Sequence, residues 1–134
     1  MTREDEEFLA RLEDGTLPPE CFHHADHVRA AWLYLTRLPA AEAIARFSRT
    51  LRAYAASLGK ADRYHETITW AYLLLVNERI GRGEAANWEE FRAANPDLLD
   101  WKDSVLTRYY RKETLGSDLA RRVFVMPDLP AQEG

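Results

Sequence analysis

Between Pro19 and Pro39 the apolar residues Val28, Ala31, Trp32, Leu35 and Leu38 recur at intervals of three and four. That interval returns side chains to one face of a 3.6-residue helix and would scatter them over both faces of a strand. The prolines limit the run, because the ring removes a backbone donor and collides with the preceding turn. The spacing predicts a helix over 24–37 with one buried face.

The same reading extends along the chain. Thr2 and Asp5 stand three apart as a capping box for a first helix, striped by Phe8, Leu9 and Leu12 and stopped by Gly15. Pro18-Pro19 makes a stiff connector. Pro39 opens a third helix over about 40–58, striped by Ile44, Phe47, Leu51, Tyr54 or Ala55, and Leu58, with Gly59 as its cap. A fourth is expected over about 62–80, apolar on most sides from Ile68 to Val76 and therefore central, with its exit at Gly81 and Gly83. Shorter pieces follow: Asn87 capping 88–94, Asn95-Pro96 restarting a helix through Trp101, a helix over 104–114, and a turn after Ser117-Asp118. No segment alternates as a strand should. The expected fold is all-α: a compact up-and-down bundle of four main helices with short C-terminal helices and an extended tail over 121–134, all one domain spanning 1–134. Trp32, Leu35, Phe47, Leu51, Ile68 and Leu75 are its expected core.

Charge narrows the classes of function. The chain has 18 basic and 22 acidic residues, a net charge of -4, and both signs interspersed. That pattern supplies no basic stripe for nucleic acid and no patch for a membrane surface. The most apolar stretch is too short to span a bilayer. The acidic start, Met1 to Glu7, is unlike a signal peptide, and Cys21 has no partner for a disulfide. A cytoplasmic location and a small-molecule substrate are expected, and a homodimer is left open.

The histidines carry the functional signal. The second helix opens with His23-His24-Ala25-Asp26-His27. Continuing the core stripe backward by a turn lands on His24 and His27, leaving His23 on the rim. His65 opens the fourth helix, in Tyr64-His65-Glu66-Thr67, and its three- and four-residue steps meet Ile68, Thr69, Tyr72 and Val76. Helices two and four run roughly parallel in an antiparallel bundle, so their first turns, with His24, His27 and His65, are expected at one end. Three imidazoles suit a divalent transition metal (Zn, Fe, Ni or Cu) with an open position for substrate. On that reading the chain is a small metal-dependent enzyme. Glu66 orients or deprotonates a water or substrate, and Tyr64, Tyr72 or Arg79 lines the cavity.

Blander readings compete at each position. A histidine pair at a helix start is often a cap and a rim hydrogen-bonder, and a buried histidine is often a satisfied core residue. The bundle then binds a small molecule or a protein without catalysis, or works as a metal-free acid–base enzyme using His65 and Glu66. Arg63, Arg79 and Arg108 could clamp an anion, although helix arginines are usually solvated or ion-paired. Asp26 suits a helix-start anion better than a ligand.

The segments Phe22-x-His24-x-x-His27, Tyr64-His65-Glu66-Thr67 and Phe124-Val125-x-Pro127-Asp128 resemble those shared by a set of short uncharacterised bacterial proteins. The likeness covers most of the chain after residue 20. It implies that these histidines recur together and implies nothing about a reaction. The extended Phe-Val tail suggests a segment that folds back over the bundle to close the pocket.

Overall fold

The computed structural model describes residues 1–130, and every regular element among them is helical. Helix α1 covers Arg3–Asp14. Its start is the capping box expected from sequence: the Thr2 hydroxyl accepts from the Asp5 N–H, and the Asp5 carboxylate accepts from the Thr2 N–H. It ends where Gly15 turns left-handed at φ 81°, a conformation that costs glycine nothing. Helix α2 covers His24–Arg37 and α3 covers Ala40–Ser57, separated only by the extended Leu38-Pro39. Helix α4 covers Glu66–Arg82 and α5 covers Trp88–Ala94, the latter capped by the Asn87 side chain on the Glu90 N–H. Two short helices, α6 (Lys112–Leu115) and α7 (Asp118–Arg122), complete the set.

The centre of the molecule is α2 against α4. Helix α2 also packs on α3 and α5, while α4 also packs on α3 and α7. Val28, Leu33, Leu73 and Val76 are all at most 2% exposed. Burying each such side chain contributes about 1.5–3 kcal/mol. An ion pair ties α1 to this centre: Arg29 on α2 meets Asp5 at 2.6 Å, and its guanidinium stands 4.5 Å from the Phe8 ring centroid.

Three expectations need correction. Helix α4 begins at Glu66 and not near residue 62, because residues 61–63 form a separate 3-10 turn and Tyr64 and His65 are extended. The expected helix over 104–114 is broken into a 3-10 turn, Val105–Arg108, and α6. The tail causes the break. The Asp128 carboxylate takes the Arg111 N–H, and the Tyr109 carbonyl accepts the N–H groups of Asp128 and Leu129, so backbone groups that a continuous helix needs are used elsewhere. The run through Trp101 reduces likewise to a 3-10 turn at Pro96–Leu99.

The tail does fold back, but onto another face of α4. Thr67 donates to the Val123 carbonyl and accepts the Val125 N–H, and Phe124 stacks on Trp70 with ring centroids 5.6 Å apart. It starts after α7, since Arg121 and Arg122 are helical. Residues 131–134 of the expected tail lie outside the described residues.

Candidate functional site

Three helices leave a gap where the first turns of α2 and α4 meet the C-terminal half of α3. The first turn of α2 supplies His24 and His27, with Val28 and Ala31 deeper. Helix α3 and its C-cap supply Phe47, Leu51, Tyr54 and Leu58, the segment leading into α4 supplies Tyr64 and His65, and α4 itself supplies Ile68, Thr69 and Tyr72. Together they enclose a cavity of about 580 Å³. That is within the range of about 300–1,000 Å³ typical of small-molecule sites. Its exposed lining residues, among them Lys60, Arg63 and Trp101, mark the mouth.

The cavity explains a discrepancy in the expected core. Trp32, Leu35 and Phe47 are buried, but Leu51 and Ile68 are only half-buried because their side chains face the open space. Leu75 is half-buried as well, and Leu73 takes its place in the centre.

His24, His27 and His65 all line this one cavity, as do Tyr64 and Tyr72. His23 is turned outward, its side chain 73% exposed. Arg79 lies elsewhere: its guanidinium pairs with Asp97 at 2.7 Å and donates to the Asn95 side chain, fastening α4 to the segment after α5. Its predicted place on the cavity wall does not hold. Glu66 is not among the lining residues either. One carboxylate oxygen accepts from the Tyr64 hydroxyl at 2.6 Å and the other from Arg52 at 2.8 Å, while Arg52 stands over the Tyr64 ring. In this arrangement Glu66 fixes Tyr64 in the wall and has no free oxygen directed at a ligand.

A polar inventory shows what remains available. The Tyr54 hydroxyl donates to the Leu17 carbonyl, the Tyr72 hydroxyl pairs with Ser104, and Thr69 donates to the His65 carbonyl. His65 is engaged twice: Nδ1 accepts the Ile68 N–H at 3.1 Å, so Nε2 carries the proton and donates to the Leu115 carbonyl at 2.7 Å. It is the N-cap of α4 as well as a tether to the C-terminal region. His24 Nε2 lies 2.9 Å from the Leu98 carbonyl and donates to it, leaving Nδ1 without a hydrogen-bond partner among the described residues. His27 stacks on Phe22 with centroids 3.9 Å apart, and among the described residues its ring nitrogens have no hydrogen-bond partner. His27 and the second nitrogen of His24 are therefore the neutral polar groups left to meet a ligand.

Burial sets their protonation. Desolvation pushes the His27 imidazolium down to about 4, with the neighbouring His24 adding to the effect. His24 is lowered too, by burial, against the opposing influence of the Leu98 carbonyl and Asp100. Burial and the Glu66 hydrogen bond push the Tyr64 hydroxyl up to about 12. At neutral pH His24, His27 and Tyr64 are therefore uncharged.

The geometry does not fit the expected three-histidine metal centre. Both nitrogens of His65 are committed, and a ligand nitrogen must offer a free lone pair. Among the described residues no group of three or more His, Cys, Asp or Glu side chains is placed to hold an ion.

Sequence reasoning missed several lining residues. Phe22 enters the sequence pattern only beside the histidines, Lys60 carries no signal in it, and Trp101 marks the end of an expected helix. No periodic signal marks them, since each lies in a connection between helices. Trp101 is 54% exposed at the mouth, tilted against His24 at 5.0 Å.

Fold and site together define a class: an all-helical domain built around an aromatic, histidine-bearing cavity. Set beside family models, curated proteins and solved structures, the chain matches none of them.

Proposed function

We propose that this protein binds an apolar small molecule in the cavity between α2, α3 and α4 and acts without a resident metal. The observation that supports the reading most directly is the combination of a small-molecule-sized cavity with walls of Phe, Leu, Ile and Tyr, and with the tyrosine and threonine hydroxyls of the wall already hydrogen-bonded. Such walls reward burial of apolar surface, at about 25 cal/mol per Å², and offer a ligand few directional contacts. His27 provides the main one. A neutral imidazole holds one N–H and one bare nitrogen, so it can orient either an acceptor or a donor on the ligand. The same reading takes the four long helices as an up-and-down bundle whose open end is this cavity.

The rival is the metal-dependent enzyme expected from the histidine spacing. It requires His65 to release one of its two backbone partners.

Titration with N-phenyl-1-naphthylamine, a neutral probe that fluoresces in apolar surroundings, tests the proposal. The expected result is saturable binding of one probe per chain, lost in Ala55→Trp, where the added indole fills the space beside Leu58. Ala55 is only half-buried, so that substitution does not overpack the core. Absence of saturable binding, or equal binding by Ala55→Trp, overturns the reading.

A further inference from the structure

Of the 20 residues lining the cavity, none is aspartate or glutamate, although the chain has more acidic than basic residues. The ionisable groups in the wall, phenols apart, are three histidines, Lys60 and Arg63. Carboxylates do occur nearby, at Glu20, Asp62 and Asp100, but they stand outside the lining, and Glu66 is neutralised by Arg52.

Arg29, Arg46, Arg52 and Arg79 each form an ion pair with a carboxylate on another element. Lys60 and Arg63 form none among the described residues. What sets Lys60 and Arg63 apart is their place on the cavity, since several other cations, Arg3, Arg37 and Arg49 among them, likewise form no ion pair among the described residues. Lys60 precedes the 3-10 turn before α4 and Arg63 ends it, and both are exposed at the cavity mouth. Two helices, α2 with 14 residues and α4 with 17, present their N-terminal turns to the same space. A helix N-terminus carries partial positive charge from its aligned peptide dipoles, so its field adds to that of the two side chains.

An apolar interior with a cationic mouth selects an amphipathic anion. Resting on the cavity reading above, we propose that the ligand is a monocarboxylate with an apolar body, its hydrocarbon seated among Phe47, Leu51, Tyr54 and Ile68 and its carboxylate held at the mouth by Lys60 and Arg63. A cavity of about 580 Å³ has room for a single acyl chain or an aryl group. A fork such as the Arg63 guanidinium can hold a carboxylate through two parallel hydrogen bonds. Trp101, which lines the cavity and is tilted against His24, supplies an intrinsic reporter of occupancy. An amine of the same length meets two cations there and is repelled. An alcohol gains the apolar contacts but not the ionic ones.

Quenching of Trp101 fluorescence reads each of these directly, with decanoate, decanol and decylamine as matched probes and Trp101→Phe as the signal control. The expected result is that decanoate binds about tenfold or more tighter than decanol, with decylamine weakest. In Lys60→Gln/Arg63→Gln, whose altered side chains are exposed and unpaired, decanoate is expected to bind no better than decanol. Equal affinity for decanoate and decanol in the unaltered protein overturns the carboxylate assignment while leaving the cavity reading intact. A preference that survives in the double variant overturns the roles of Lys60 and Arg63. Failure of all three probes and of the naphthylamine probe overturns both readings together.

Discussion

His65 shows how a residue of functional appearance can be structural. Its ring caps α4 through the Ile68 N–H and reaches the Leu115 carbonyl, so it joins the start of one helix to the end of another. Replacing it by alanine leaves a backbone donor and a backbone acceptor short of a partner, each worth about 1–3 kcal/mol when desolvated. His65→Ala should therefore lower the denaturant midpoint clearly. His65→Asn should recover part of the loss, because asparagine is itself a good N-cap. An unchanged midpoint for His65→Ala would remove the tethering role. His27 behaves in the opposite way. It has a stacking partner in Phe22 and no hydrogen bond among the described residues, so His27→Leu should cost little stability at pH 8 while altering ligand affinity. A stability loss in His27→Leu comparable with that in His65→Ala would contradict the polar inventory.

At the scale of elements, local chemistry accounts for most helix ends. Thr2, Asn87 and Ser117 each accept the N–H three residues on, and each was legible as a cap from sequence. Asn87→Ala should cost about 1 kcal/mol, read by chemical denaturation. Within α4 the choice of inward face is testable against its neighbours. Leu73 is fully buried whereas Leu75 is half-buried, so Leu73→Ala should cost about 2–5 kcal/mol and Leu75→Ala distinctly less. Equal costs for the two would place the face wrongly. A helix apolar on most sides gives periodicity little to choose from, which is why Leu75 looked as central as Leu73 from spacing alone. The helix expected over 104–114 fails for a different reason: its competitor is the tail, 17 residues further on from Arg111 to Asp128, and no local propensity registers a distant hydrogen-bond partner.

Over the whole molecule the buried histidines predict acid sensitivity. The folded-state value of His27 is about 4, below its ordinary value near 6.5. Between these values the unfolded chain binds the proton and the folded chain does not. Stability from this group is therefore complete above about pH 6.5 and falls as pH drops toward 4. His24, lowered by burial, adds to the same trend. The slope should flatten in His27→Leu, and an unaltered slope would show that this ring is not the group responsible. The ion pair of Asp97 with Arg79 acts in a lower window. Its hydrogen bond to Arg79 holds the carboxyl below the usual range, so its contribution is lost only under more acid conditions. Elemental analysis of untagged protein addresses the metal question. Substoichiometric metal is expected, unchanged in His24→Ala and His27→Ala. One ion per chain that disappears in each histidine variant would restore the metal-centre reading.

Periodicity and capping, read from the sequence alone, determined the all-helical class, the limits of α1, α2 and α3, and the inward direction of His24, His27 and His65. Those properties depend on neighbours within a turn or two, which a linear pattern records. What the imidazoles do once inside was decided by tertiary structure. The partners of His65 and His24 are carbonyls 50 and 74 residues away in the chain, and the partner of Glu66 is Arg52 on another helix. The gap between α2, α3 and α4 likewise exists only because three helices approach without filling it. A cavity is a property of packing, and so is the placing of Lys60 and Arg63, which form no ion pair among the described residues, on its lining.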